Sequence, residues 1–266
     1  MEHKIMEGNF GTKFNEILTQ LEILPKPKKP CSLGLDHPSV EKVIQIALKL
    51  TKENRLITSE LLYNRAKKEL RIPKRGLKAI IQLLLNKKIL YEGSRFTKMT
   101  VLMNKTRASL FWLVNTYPGA HFSFLKTKLA QIKQNGIGVG YLNWHLDMLI
   151  KFDLIKKVKV MNFTIFLPIG ITDEEGVLYF ILRDDLNRKI LEFLTDHELV
   201  IKAKVYKELR LDRGKIYYRI KKLKELGFIL SFSANEKYIL LNSEKKVLLL
   251  KAFNNVSKIK GIQDKY

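Results

Sequence analysis

The fold is decided by the stretch LDRGKIYYRIKKLKELGFI at residues 211–229, where a helix-forming run of about 14 residues leads directly into a β-rich segment. Two more stretches end in the same way, RIPKRGLKAIIQLLLNKKIL at residues 71–90 and GIGVGYLNWHLDMLIKFDLI at residues 136–155. The ends of these helices align in one column, which is occupied by Leu84, Leu149 and Leu223. This recurrence predicts a structural repeat of three small units.

Each stretch is preceded by two further predicted helices and followed by a predicted pair of strands. In the first unit, residues 39–104, three signals start helices: Pro38 with Ser39, Thr58 with Ser59, and Pro73, whose helix runs to about residue 86. The segments 89–91 and 100–102 flank a turn at residues 92–95. They are predicted to pair as strands.

The other two units repeat this order of elements. In the second unit, residues 105–170, the patterns predict helices at 107–115, 121–130 and 139–151 and strands at 155–160 and 163–167. In the third unit, residues 184–241, they predict helices at 187–195, 201–209 and 213–226 and strands at 228–232 and 237–241, with a turn at 233–235. The flanking regions are predicted as an N-terminal helix with a basic linker, residues 1–38, and a C-terminal helix and tail, residues 242–266.

Three helices followed by a two-stranded wing are typical of a winged helix-turn-helix. The sequence therefore predicts a mainly α protein with small β wings, an α+β fold built of three tandem winged helix-turn-helix units. A hydrophobic content of 46% is ordinary for a globular chain that buries a core.

The charge of the chain is strongly positive. There are 49 Lys and Arg residues against 26 Asp and Glu residues, which gives a net charge of +23. Such a surface favours a polyanionic partner, with nucleic acid as the first candidate and an anionic membrane surface as the second. No apolar run approaches the roughly 18 residues that span a bilayer, and the N-terminus has no signal-peptide pattern, so we expect a soluble, cytoplasmic protein. The single cysteine, Cys31, excludes an internal disulfide.

Residues 107–241 carry the phrases of a known family. NTYPGAHF at 115–122 precedes a second helix, WHL at 144–146 and DLI at 153–155 close a third, and YRI at 218–220 with LGFI at 226–229 fill the same columns in the last unit. With RDDLNRKI at 183–190, these phrases resemble the archaeal winged-helix transcriptional regulators that carry two helix-turn-helix units in one chain. The resemblance implies DNA binding and regulation of transcription. Residues 1–106 lie outside it, and the helix before Trp144 is neutral and glycine-rich where the family offers polar side chains.

The predicted recognition helix of the third unit supplies the main candidates for nucleic-acid contact. Such a helix turns its N-terminal half and one exposed face to bases and phosphates. The residues in that window are Arg213, Lys215, Tyr217, Tyr218, Lys221 and Lys222, while Ile216, Ile220 and Leu223 face inward. Residues 202–225 hold ten Lys and Arg against three Asp and Glu. The alternatives are that these charges only solvate the surface, and that the ring of Tyr218 packs beside the wing.

The first unit is basic in the same region. Between Arg71 and Arg107 there are ten positive side chains and one negative side chain, Glu92. The candidate contacts are Lys74, Arg75 and Lys78 at the start of the helix and Arg95 and Lys98 in the wing. A wing can follow the backbone or enter a minor groove, where Arg95 is the residue expected to insert. The alternative is solubilising charge.

The middle unit differs, since its third helix offers Tyr141, Asn143, His145 and Asp147 and no cation before Lys151. We expect a spacer or a protein-contacting unit. The aromatic residues of the middle unit are expected to lie in the core; they are Phe111, Trp112, Phe122, Phe124 and Trp144.

Catalysis finds little support in the sequence. His121 and His145 are expected to be structural histidines with satisfied hydrogen bonds, since no Cys or Glu stands at metal-ligand spacing. The glycines of residues 136–140 lack the Lys-Ser/Thr of a phosphate loop, and we expect a tight turn with positive φ. No catalytic residue, cofactor or metal is predicted.

The first functional hypothesis is a DNA-binding transcriptional regulator that contacts duplex through the first and third units, with the middle unit setting their separation. A tandem winged-helix adaptor in a protein assembly, endosomal-sorting-like or polymerase-associated, is the alternative, and RNA binding is a further one. The C-terminal helix carries an apolar seam, so a homodimer through Leu249, Phe253 and Val256 is also predicted.

Overall fold

The computed structural model describes residues 34–232 and 236–263, and describes side chains up to residue 253. The fold is mixed, with helices and two small antiparallel sheets. Among the described residues there are two compact units, one formed by residues 34–113 with Lys128–Ile155 and the other by Val114–Thr127 with the described residues from 156 onward. The predicted N-terminal helix and most of the linker, Cys31 and the turn at 233–235 lie outside the described residues.

Three helices of the first unit begin at the predicted signals. They are α1 at Pro38–Lys52, α2 at Ser59–Glu69 and α3 at Lys74–Asn86. Pro38 lies in the first turn of α1, whose start is capped by His37, and the Thr58 hydroxyl accepts a 3.1 Å hydrogen bond from the Leu61 amide at the start of α2. The helices pack pairwise around a buried apolar cluster that includes Val40, Val43, Leu50, Leu62, Leu77, Ile80 and Leu84. This burial is what holds α3 in place with its basic side outward.

The predicted wing of the first unit is wrong in both of its strands, since residues 89–91 form no strand and residues 100–102 are helical. The latter belong to a short helix, α4 at Lys98–Leu102, which starts with a capping box between two threonines. The Thr100 hydroxyl accepts from the Thr97 amide at 2.8 Å, and the Thr97 hydroxyl accepts from the Thr100 amide at 3.2 Å. Because both orphan amides at the helix start are satisfied, the helix is favoured over a strand. In residues 34–113 the β pairing is a single bridge between Ile57 and Ser94.

Helices α5 at Lys105–Thr116, α6 at Phe122–Lys133 and α7 at Val139–Lys151 follow. They confirm the predicted helices of the middle region, which the boundary between the compact units divides. The expectation of positive φ at the glycines of residues 136–140 is wrong. Gly138 caps α7 with φ −66°, and the left-handed residue before it is Gln134, with φ 55°.

The second compact unit, which is not the second unit predicted from the sequence, contains the two sheets. In the first sheet β1 at Ala120–His121, β2 at Ile155–Val160 and β3 at Phe163–Pro168 lie in the order β1-β3-β2. In the second sheet β4 at Val200–Ile201, β5 at Ile229–Phe232 and β6 at Tyr238–Leu241 lie in the order β4-β6-β5, with Ile229 opposite Leu241. The two longer strands of each sheet were predicted from the sequence, whereas the two-residue strands β1 and β4 were not.

The helices of this unit are α8 at Asp173–Leu182, α9 at Asp185–Thr195, α10 at Lys202–Glu208, α11 at Arg213–Glu225 and α12 at Ser243–Gln263. Helix α8 was not predicted, although Thr172 and Glu175 form a capping box at its start. Helices α9, α10 and α11 bury Ile190, Val205, Ile216 and Ile220 in one apolar cluster with the second sheet.

The C-terminal helix α12 packs on α8 within the second unit, and Leu249 and Ala252 are buried there. Leu249 therefore stabilises the folded chain and is not exposed for contact with a second copy, which corrects its assignment to a dimer surface. Phe253 is partly buried against the same cluster, and the side chain of Val256 lies outside the described residues. The homodimer itself stays a prediction.

The three helices aligned by sequence end with the same geometry. Four positions after each aligned leucine, the chain has a residue with left-handed φ, namely Lys88, Asp153 and Gly227. The amide of the residue after it donates to the carbonyl oxygen of the aligned leucine at 2.9–3.0 Å. This is the hydrogen bonding of a Schellman motif. The same motif ends α1 and α10, which are not among the three aligned helices. It is therefore compatible with a structural repeat but does not by itself indicate one.

Candidate nucleic-acid interface

Helix α11 has one apolar and one cationic face. Ile216, Ile220 and Leu223 are buried, as the sequence predicted. The start of the helix is capped by the Asp212 carboxylate, which accepts from the Lys215 amide at 2.8 Å. The exposed side is formed by Arg213, Lys215, Tyr218 and Lys221. These four candidate residues therefore lie on the solvent side of a helix that is fixed by its buried face. The other two, Tyr217 and Lys222, are half-buried, and Tyr217 packs against the apolar cluster.

Two tyrosines of α11 are flanked by cations. The Lys202 ammonium nitrogen lies 4.7 Å and the Arg213 guanidinium carbon 5.2 Å from the ring centroid of Tyr217. Tyr218 has Arg219 at 5.7 Å and Lys222 at 5.9 Å, and its side chain is 56% exposed rather than packed away. These contacts hold the cations over aromatic faces.

An open concavity of about 500 Å³ lies beside these rings. Its lining consists of Lys202, Tyr217, Tyr218, Lys221, Lys224, Glu225 and Glu236. Lys202 and Lys224 were not singled out from the sequence, because they belong to α10 and to the end of α11, and only the fold brings them to one place. Their signal was the excess of positive charge over residues 202–225.

Some of the cations are already paired with carboxylates. Lys222 binds Glu225 at 2.8 Å, which raises the pKa of Lys222, Arg219 binds Asp184 at 2.6 Å, and Lys224 binds Glu236. Within the described part of the chain, Arg213, Lys215 and Lys221 have no ion pair. Among the candidate cations of α11, these three are therefore available to neutralise an external anion. Lys221 also lies near Glu225 and Glu236, and its charge lowers the pKa of both carboxyls.

Helix α3 of the first unit presents a second cationic surface. Lys74, Arg75 and Lys78 are exposed and form no ion pair with any described carboxylate. The acidic residue of this region, Glu92, accepts from the Ser59 amide with both oxygens, at 2.9 and 3.0 Å, and so caps α2. Arg95 is exposed in the loop that follows α3.

Lys98 differs from the other candidates because it is only half exposed, at the first position of α4. Desolvation lowers the pKa of Lys98 from its ordinary value. Its ammonium is therefore less open to an external partner than that of Lys74 or Lys78.

Helix α7 of the middle region shows two departures from expectation. His145 is 1% exposed, not on the outer face, while Trp144 is 51% exposed, not in the core. Both nitrogens of His145 lack a hydrogen-bond partner among the described residues, so it is not a satisfied structural histidine. Asn143 and Asp147 are exposed as predicted. Of the other aromatic residues, Phe111 is buried, and Trp112, Phe122 and Phe124 are half-buried.

Burial, together with the positive charges of Arg107 on α5 and Lys133 on α6, lowers the pKa of His145 to about 4. At a pH below about 6.5, the ordinary pKa of histidine, His145 is protonated in the unfolded chain, whereas in the folded chain it stays neutral until about pH 4. The free energy of unfolding is therefore expected to fall by roughly 2–3 kcal/mol from this residue alone as the pH drops through that window.

Urea unfolding at pH 7 and at pH 4.5 measures this effect, with His145→Leu as the comparison. The variant is expected to lose less stability than the wild type over the same interval, since other titrating groups are common to both proteins. Parallel losses in the two proteins would contradict the burial of a neutral imidazole.

Among the described residues, no helix is long and apolar enough to cross a membrane. The same part of the chain holds no cluster of three or more His, Cys, Asp or Glu side chains that could bind a metal ion.

Comparison with known proteins gives two archaeal relatives. The chain is 30% identical over 131 residues to an uncharacterised HTH-type transcriptional regulator of Methanocaldococcus jannaschii, covering 49% of this chain and 32% of the relative. It is 36% identical over 66 residues to an uncharacterised HTH-type transcriptional regulator of Pyrococcus furiosus, covering 25% of this chain and 45% of the relative. The chain thus spans less than half the length of either relative. No family model matches, and no solved structure matches significantly. The chain is thus similar to two archaeal proteins named as HTH-type transcriptional regulators, to one over about half of its length and to the other over a quarter.

Proposed function

We propose that this protein binds double-stranded DNA as a non-enzymatic transcriptional regulator, and that α11 and α3 are its recognition helices in tandem winged helix-turn-helix units. The observation that carries the proposal is the exposed face of α11, where Arg213, Lys215 and Lys221 have no carboxylate partner within the described chain. The similarity to two proteins named as transcriptional regulators supports it.

The position of the cations along each helix supports phosphate as the partner. Neither α3 nor α11 has an acidic residue in its first turn, and both begin with cations, Lys74 with Arg75 and Arg213 with Lys215. A cation at a helix N-terminus opposes the helix dipole and costs stability when it serves only the fold. At the start of α3, which has no side-chain cap, these cations and the free amides of the first turn together attract a phosphate group. At the start of α11 the Asp212 carboxylate already accepts from the Lys215 amide, so the attraction there comes from the side chains of Arg213 and Lys215.

Contacts with phosphates make affinity depend on salt in a predictable way. If about 6 to 8 phosphates are neutralised, the logarithm of the affinity is expected to fall against the logarithm of the salt concentration with a slope of roughly −5 to −7. Fluorescence anisotropy of a labelled 30-base-pair duplex at several salt concentrations measures this slope. An affinity for duplex that does not change with salt would contradict the proposal.

A specific observation favours a second candidate function for the middle region. Helix α7 exposes Val139, Tyr141 and Trp144, and within residues 139–150 it carries no cation. An apolar helix face of this kind is suited to a protein partner rather than to phosphate. A tandem winged-helix adaptor would form complexes that tolerate salt, whereas an RNA-binding protein would prefer a matched RNA duplex or single strand in the same titration.

A further inference from the structure

A buried cation without a counter-ion in the described chain lies in the first compact unit. Arg107 of α5 is 3% exposed, and no carboxylate among the described residues lies within ion-pair distance of it. Its Nε donates to the Val101 carbonyl oxygen at 2.5 Å, and its guanidinium carbon lies 5.2 Å from the Phe96 ring centroid and 5.6 Å from that of Trp144. Burial lowers the pKa of Arg107, which records the cost of this uncompensated charge.

A second cation and two hydroxyls belong to the same group of side chains. Lys133 of α6 donates to the Thr106 hydroxyl at 2.5 Å and to the Tyr141 hydroxyl at 2.9 Å, and these two oxygens lie 2.8 Å apart. The hydrogen bond from Lys133 lowers the pKa of Tyr141. Lys133 also has no carboxylate partner in the described chain.

The remaining members are His145 and the exposed ring that covers it. The ring centroid of His145 lies 4.3 Å from that of Tyr141 and 4.7 Å from that of Trp144, and both contacts are edge to face. Neither ring nitrogen of His145 has a hydrogen-bond partner in the described chain. Buried polar atoms of this kind are rarely left unpaired. Trp144 is half exposed, and its ring contacts both Arg107 and His145, so this side chain separates the buried guanidinium and imidazole from solvent.

We propose that Arg107, Lys133, Tyr141 and Trp144 bind a small monocarboxylate with a planar apolar body. The carboxylate would supply the missing counter-charge and accept from the Tyr141 hydroxyl, and a flat guanidinium matches a flat carboxylate. The exposed rings of Tyr141 and Trp144 would stack on the planar body, as aromatic walls do in ligand pockets. This site concerns a ligand of the first unit, so it goes beyond duplex binding and does not depend on it.

The test titrates the full-length chain with benzoate and follows tryptophan fluorescence and heat of binding. Benzamide serves as the neutral probe of the same shape, and inorganic phosphate serves as the non-planar anion. Lys133→Gln removes the half-exposed cation, and Lys128→Gln makes the same change on the same helix outside the group. Saturable benzoate binding is expected, weakened roughly tenfold by Lys133→Gln and changed less than about twofold by Lys128→Gln.

Three results would overturn the proposal: no saturable benzoate binding, equal binding of benzoate to both lysine variants, or equal binding of benzamide and benzoate. Tighter binding of phosphate than of benzoate would overturn the assignment of a planar carboxylate. Duplex affinity is measured on the same preparations. A chain that binds duplex and ignores benzoate refutes the ligand site alone, and a chain that binds benzoate and ignores duplex refutes the regulator alone.

Discussion

Replacing Arg213, Lys215 and Lys221 together with glutamine is expected to weaken duplex binding roughly 100-fold at 0.1 M salt, because three phosphate contacts of about 1 kcal/mol each are removed. The salt slope is expected to become shallower by about 2 to 3, since each lost contact removes about one released counter-ion. The side chains are exposed and make no ion pair within the described chain, so the fold is expected to survive. Anisotropy titrations of the variant and the wild type on one duplex measure both quantities.

The matched control makes the same change of charge away from the proposed recognition helices. Lys42 and Lys52 of α1 and Lys246 of α12 are exposed, and no described carboxylate pairs with them. Their triple replacement with glutamine is expected to change the affinity less than about threefold, because only long-range attraction is lost. Equal losses in the two triple variants would mean that net charge alone drives binding and that α11 has no special role.

The inward face of α11 could be predicted from the sequence because helix periodicity determines it. Apolar residues at positions 216, 220 and 223 recur at helical spacing, so one face must be buried and the cations must lie opposite. The same rule, applied strictly, would also have placed His145 correctly. Positions 142, 145, 146 and 149 of α7 form one helical stripe, and Trp144 lies off it. Residue type had suggested the reverse, a buried tryptophan and an exposed histidine.

Other features could not be read from local pattern. The strands β1 and β4 have two residues each, too few for any periodicity, and they exist because β3 and β6 offer free edges for pairing. The concavity beside α11 joins Lys202 and Glu236 to that helix, and this proximity results from tertiary packing. Arg107 gave no signal at all, since a single arginine in a helix is usually exposed and only the fold shows that it is buried.

Gly119→Ala is expected to lower the free energy of unfolding of the second unit by roughly 3 kcal/mol, through strain and a backbone clash together. Gly119 has φ +76°, and its amide donates to the Phe166 carbonyl oxygen at 3.0 Å. A Cβ at this position would lie 2.7 Å from the Gly176 carbonyl oxygen and 2.8 Å from the Phe180 amide nitrogen. Both contacts are with the backbone of α8, which cannot move aside as a flexible side chain would.

Gly227→Ala in the same unit separates the two causes. Gly227 has φ +75°, nearly the same conformation, and nothing lies within 4 Å of the position of its Cβ. Its replacement is expected to cost only the strain of the left-handed conformation, roughly 1 kcal/mol. Urea unfolding of the two variants therefore measures the clash as their difference. Equal losses of unfolding free energy in the two variants would mean that the backbone of α8 is farther from the Cβ position of residue 119 than 2.7 Å. A loss that is larger by about 2 kcal/mol in Gly119→Ala would confirm that this turn fixes the position of α8.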